Sequence, residues 1–126
     1  MIIPTWENKT ILIVEDDEIS MEFLRELLTP SKVNILMAMD GQQAIDICRE
    51  NSTIDLVLMD VRLPLINGRE AMIEIKKSKP KLPIIAQTAF AMSGDKEKYL
   101  SSGFDDYVSK PIIMDEILSK ISRFFE

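Results

Sequence analysis

The sequence predicts a doubly wound α/β domain. Its five parallel strands, (βα)5, run in the order 2-1-3-4-5 with helices on both faces. Three observations carry this. Short apolar runs alternate with stretches of helical periodicity five times along 126 residues. The central runs are nearly continuous in apolar residues, as expected of strands buried on both faces. The connections are short, and right-handed crossovers then set the winding.

Residues 10–15 (Thr-Ile-Leu-Ile-Val-Glu) read as the first strand. Ile19, Phe23, Leu24, Leu27 and Leu28 follow at helical spacing, and Pro30 marks the stop. Residues 33–39 form the second strand. Gly41 opens a helix whose apolar face is Ala44, Ile45 and Cys48. Residues 54–59 form the third strand, and the loop Arg62-Leu-Pro-Leu-Ile-Asn-Gly68 follows it. Ala71, Met72 and Ile75 mark the third helix, which ends before Pro80. Residues 82–88 form the fourth strand. A short helix over 93–102 ends at Gly103, a residue suited to a left-handed cap. Residues 106–109 form the fifth strand, broken by Lys110-Pro111. Ile117, Leu118, Ile121, Phe124 and Phe125 face the core from the last helix. Residues 1–8 read as a lead-in rather than core, and residues 9–126 as the domain.

With 46% hydrophobic and 29% charged residues, 4 Gly and 6 Pro, the composition is that of an ordinary folded domain. No apolar run approaches the ~18 residues of a membrane span. The N-terminus lacks the basic flank and apolar stretch of a signal peptide. No membrane contact is therefore expected of this domain. The net charge of −6 disfavours direct nucleic-acid binding, which relies on neutralising phosphates. A single cysteine, Cys48, excludes an internal disulfide and suits a reducing cytoplasm. There is no histidine. That excludes a Ser-His-Asp or Cys-His hydrolase, a His-ligated metal and a phosphohistidine carrier.

Ligands of a doubly wound sheet bind beyond the carboxyl ends of its strands. Strand 1 ends in Glu15-Asp16-Asp17, strand 3 in Asp60, strand 4 in Thr88 and strand 5 in Ser109-Lys110-Pro111. Each of these residues alone reads as ordinary solvated surface. Together they place every terminal polar group of the central strands on one edge. Clustered carboxylates repel unless a cation lies among them, and an all-oxygen donor set points to Mg²⁺. Lys110 adds an ammonium opposite. Asp60, between metal and ammonium, then suits nucleophilic phosphoryl transfer, with Thr88 donating to the transferred group. Asp17 and Glu18 read instead as the charged start of the first helix.

The residues that carry this site resemble a known family. Ile11-Leu-Ile-Val-Glu-Asp-Asp17, Leu56-Val-Leu-Met-Asp-Val-Arg-Leu-Pro64 with Asn67-Gly68, Pro83-Ile-Ile-Ala-Gln-Thr-Ala89 and Tyr107-Val-Ser-Lys-Pro111 resemble the motifs of response-regulator receiver domains of two-component signalling. The likeness runs from Lys9 to Phe125 and includes the flavodoxin-like strand order. It implies that Asp60 is the phosphoacceptor, taking phosphoryl from a phosphohistidine on a sensor histidine kinase or phosphotransfer protein. It implies that Glu15 and Asp16 are the acidic pair, Asp16 binding Mg²⁺ directly and Glu15 through water. Asp60 and the backbone carbonyl of Arg62 would complete the metal ligands. Lys110 would pair with the phosphoryl group, and a cis peptide would precede Pro111. Thr88 and Tyr107 would be the switch pair. The acidic pair is Glu-Asp rather than the commoner Asp-Asp, a variant known within the family.

The segments 6–17 and 86–95 are most similar to receivers at the C-terminus of hybrid sensor histidine kinases, against the alternative of a free-standing regulator. In that setting the parent chain is a transferase at the cytoplasmic face of a membrane. The domain itself turns over nothing beyond its own phosphorylation and slow dephosphorylation, and at most forms a weak homodimer. Arg62 and Phe90 stand two residues beyond Asp60 and Thr88, where they would cover the path of attacking water. A haloacid-dehalogenase-like phosphatase would need an acid at position 62 and a cap domain. A flavodoxin-like FMN carrier would need a Gly/Ser/Thr loop in place of Glu15-Asp16-Asp17. A partner-binding pseudo-receiver would not need the full acid, Thr and Lys set. Among the other features, Met37, Met39, Met59 and Met72 read as core filling and Cys48 as a small buried hydrophobe. Trp6 reads as packing against the domain edge. Lys76-Lys77-Ser78-Lys79 complements a helix end.

Overall fold

A computed structural model of the chain describes residues 3–89 and 95–125. The elements in order are β1 (Thr10–Val14), α1 (Glu18–Leu28), a 3-10 turn (Thr29–Ser31), β2 (Asn34–Ala38), α2 (Gly41–Glu50), β3 (Leu56–Asp60), α3 (Gly68–Ser78), β4 (Ile84–Thr88), α4 (Asp95–Ser102), β5 (Asp106–Ser109) and α5 (Met114–Phe125). All strand pairs are parallel, in the order β2-β1-β3-β4-β5. Fold class and strand order match the sequence-based expectation. Phe90, and Ser93 at the expected start of the fourth helix, lie outside the described residues.

Every residue of β3 and β4 is buried, because helices cover both sides of the sheet centre. Alternate strand residues feed two cores. Leu12, Val57, Met59, Ile84 and Ala86 meet Ala44, Ile45 and Cys48 of α2 and Ala71, Met72 and Ile75 of α3. Ile11, Ile13, Leu56, Leu58 and Ile85 meet Leu24 and Leu28 of α1 and Ile117, Leu118 and Ile121 of α5.

Three expectations need correction. Trp6, assigned to a non-core lead-in, is buried in the second core. Its ring meets Phe125 edge-on at 5.1 Å, and its backbone N–H donates to the Ser31 carbonyl. A large indole there buries more apolar area than it could in solvent. Met37 and Met39 are exposed rather than core, because β2 is an edge strand whose outer positions meet no covering helix. Ile19 and Phe23 share the helical spacing of Leu24 and Leu28, yet stand 81% and 50% exposed. The face of α1 that packs on the sheet is Met21, Leu24 and Leu28.

Local chemistry sets the helix starts that border the sheet's carboxyl edge. Asp17 caps α1, its carboxylate accepting from the Ser20 N–H and hydroxyl, as its reading as a helix-start residue requires. Asn67 and Glu70 form a reciprocal capping box on α3. Gly68 is required by close approach: a Cβ there would stand 2.1 Å from the Asp60 carbonyl oxygen. The loop between β3 and α3 is thereby seated directly on the last residue of β3. Among the described residues no helix is long and apolar enough to cross a membrane.

Candidate functional site

Glu15 follows β1 and is held there by its N–H, which donates to the Ala38 carbonyl at 3.0 Å. Its side chain is 1% exposed. Asp60, the last residue of β3, is 6% exposed. Lys110, just beyond β5, reaches back between them. Its ammonium donates to Glu15 Oε2 at 2.9 Å and to Asp60 Oδ2 at 3.3 Å. The other oxygen of Asp60 accepts the Arg62 N–H at 2.9 Å, which fixes the carboxylate's orientation. Asp16 is exposed at the mouth. One carboxylate oxygen from each of Glu15, Asp16 and Asp60 lies within 4.8 Å of the others.

The electrostatics follow from this crowding. Burial pushes the Glu15 carboxyl up from 4.5 to about 7; the Lys110 hydrogen bond pulls against that, and neighbouring Asp60 adds to it. Burial also works against the Lys110 charge. The Glu15 hydrogen bond and the charge of Asp60 outweigh it and hold the ammonium's pKa above its ordinary value. Three carboxylates facing one ammonium leave two negative charges when all are ionised. An all-oxygen cluster with that deficit fits a hard divalent cation.

Thr88 and Pro111 flank this centre, and the Lys110 N–H donates to the Thr88 carbonyl at 2.7 Å. Thr88 ends β4 and is 5% exposed. The peptide between Lys110 and Pro111 is cis, as the resemblance implies. Tyr107 on β5 is half-buried; Lys120 donates to its carbonyl and stands 4.7 Å over its ring. Arg62 is exposed and lines a cleft of about 610 Å³ with Asp16, Asn67 and Tyr99. The basic run of α3 is spent on structure: Lys76 pairs with Asp105 at 2.6 Å and Lys79 donates to the Asn51 carbonyl.

Two features escaped the sequence reading. The Tyr99 hydroxyl donates to Thr88 Oγ1 at 3.0 Å. Its only sequence signal is an aromatic in a mostly polar helix. Ile19, Phe23, Pro111 and Ile112 line an apolar groove of about 320 Å³ beside Lys110. The side-chain amide of Gln87 lies buried at its base without a hydrogen-bond partner among the described residues.

Residues 11–122 match the family model described as the response regulator receiver domain. Hybrid signal transduction histidine kinase I of Dictyostelium discoideum is 40% identical over 128 residues, which cover 92% of this chain and 7% of that protein. The polar-differentiation response regulator DivK of Brucella ovis is 36% identical over 119 residues, covering 93% of this chain and 96% of that protein. The receiver domain of a Pseudomonas aeruginosa sensor histidine kinase, solved with a magnesium ion coordinated in its active-site cleft, superposes with a TM-score of 0.84. It is 33% identical, and the match covers 93% of this chain and 97% of that one.

Proposed function

The chain belongs to the response regulator receiver domain family, a phosphoacceptor of two-component signalling, and from that premise we propose that Asp60 accepts its phosphoryl group from a phosphohistidine on a partner. The observation that carries this is the Lys110 ammonium bridging Glu15 and Asp60 at one edge of the sheet. The chain has no histidine, so the phosphohistidine must come from elsewhere. The apolar rim of Ile19, Phe23 and Ile112 beside Lys110 supports a protein donor rather than a small molecule alone.

In this reading a carboxylate oxygen of Asp60 bonds to phosphorus as the phosphorus–nitrogen bond of the donor breaks. The electron pair stays on the imidazole nitrogen, and the product is an acyl phosphate. The Arg62 N–H holds Asp60 in line for that attack. Lys110 exchanges its bond to Asp60 for one to a phosphoryl oxygen, and Thr88 turns to donate to another. Glu15, Asp16, Asp60 and the Arg62 carbonyl would hold Mg²⁺, which supplies positive charge for the transferring oxygens. Thr88 and Tyr107 form the pair whose rearrangement alters the surface around β5. The domain acts in the cytoplasm, where its one thiol stays reduced; within a hybrid kinase the histidine-bearing partner is that kinase's own histidine domain.

Intact-mass measurement after incubation with Mg²⁺ and a small acyl-phosphate donor tests the site. One added phosphoryl group is expected, absent in Asp60→Asn. A phosphoryl group that persists in Asp60→Asn overturns the assignment.

A further inference from the structure

Thr88 and Tyr107 are linked through a third residue. Tyr99, on α4, stands between them. Its hydroxyl donates to Thr88 Oγ1 at 3.0 Å, and its ring stacks on that of Tyr107 with centroids 6.2 Å apart and planes 29° from parallel. Phe104 packs edge-on against the same ring at 6.2 Å, so Tyr99 has little freedom to swing away alone. Tyr107 is fixed at its far side by Lys120, which meets both its carbonyl and its ring. A continuous set of contacts thus runs from Thr88 through Tyr99 and Tyr107 to α5.

We propose that Tyr99 is a positioning residue that latches Thr88 in the resting state and couples its release to Tyr107. This rests on the reading of Asp60 as phosphoacceptor. Threonine is β-branched and stiff at χ1, so a hydrogen bond to its hydroxyl selects one rotamer. Turning that hydroxyl toward a phosphoryl group on Asp60 breaks the bond from Tyr99. The freed phenol then loses the contact that fixes its ring against Tyr107, and the stack loosens. The reverse also holds: any partner that displaces Tyr107 weakens the hold on Thr88. A ligand shifts such an equilibrium only by its differential affinity for the two states, so the latch sets the resting population against which phosphorylation works.

Tyr99→Phe removes the hydroxyl and keeps the ring, so it separates the latch from packing. With Mg²⁺ and beryllofluoride, a phosphoryl mimic, the Phe variant is expected to bind about two- to tenfold more tightly than wild type, the range of one lost hydrogen bond. A merely structural tyrosine would lower the melting temperature and leave this affinity unchanged or weaker, and either of those affinities overturns the latch. The second readout needs no mimic. The Thr88 methyl and Tyr107 ring signals in NMR spectra are expected to shift or broaden together in the Phe variant. Signals that match wild type overturn the coupling, whatever the mimic does. Failure of beryllofluoride to bind wild-type protein at Asp60 counts against the phosphoacceptor reading instead.

Discussion

Gly68→Ala tests how the helix start of α3 holds Asp60, the residue proposed to accept the phosphoryl group. The added Cβ would meet the Asp60 carbonyl oxygen at 2.1 Å, Val61 Cα at 2.8 Å and the Asp60 carbonyl carbon at 3.0 Å. These are backbone atoms, so no rotamer change relieves the clash. Ordinary contact needs about 3.5 Å, so the first turn of α3 or the end of β3 must move by about 1 Å or more. Overpacking of this kind costs about 1–3 kcal/mol, and alanine's helix propensity returns at most about 1 kcal/mol. For a domain of this size a net loss of about 1–2 kcal/mol lowers the melting temperature by roughly 3–10 °C. The displaced atoms belong to Asp60 itself, so labelling by a small phosphodonor should slow by roughly tenfold to a hundredfold. Gly41→Ala is the internal comparison. Its Cβ would strike the Ile66 carbonyl at 2.4 Å, at the other end of the same loop, and should destabilise with a smaller effect on labelling. Circular-dichroism melts and timed intact-mass labelling read both quantities. A Gly68→Ala protein that melts within a degree of wild type and labels at the same rate refutes the reasoning.

Asp16→Asn should weaken Mg²⁺ binding at least tenfold in a calorimetric titration, since Asp16 is the exposed member of the carboxylate cluster. It should also raise the metal-free melting temperature by easing repulsion with Glu15 and Asp60, and Mg²⁺ should stabilise wild type more than the variant. Equal Mg²⁺ affinity in the two proteins would mean the metal ligands are placed wrongly. The Cys48 thiol is buried, and that burial pushes its pKa up from 9.0 to about 11. Folded protein therefore keeps a proton that the unfolded chain loses between those values, so this group's contribution to stability falls as pH rises from 9 to 11. At pH 8 its alkylation should be about a hundredfold slower than in urea-unfolded chain; equal rates would contradict the burial.

The central strands and the site at their ends were legible in the sequence because one cause produces both. A strand buried on both faces is mostly apolar, so the polar residues at its carboxyl end mark where it leaves the core, although Gln87 of β4 is polar and still buried. That logic located Glu15, Asp60, Thr88 and Lys110 without any contact information. It failed where burial depends on what lies opposite. Ile19 and Phe23 share the helical spacing of Leu24 and Leu28, and only the sheet's extent decides which of them it covers. Met37 and Met39 read as core because an edge strand is apolar in pattern while one side lacks a neighbour. Trp6 read as a lead-in because the groove it fills is built by Phe125, more than a hundred residues away in the chain. Tyr99 was invisible for another reason. Its helix is mostly polar, and a hydrogen bond to Thr88 leaves no trace in periodicity.

The central claim is that Asp60 carries the phosphoryl group, and reductive trapping tests it most directly. Borohydride converts an aspartyl phosphate to homoserine and leaves free aspartate unchanged. The domain would be phosphorylated by a phosphohistidine-bearing donor protein with Mg²⁺, reduced, digested and sequenced by tandem mass spectrometry. Homoserine at position 60 alone is the expected result. Homoserine at position 16 or 17, or phosphorylated protein that yields none, would contradict the account.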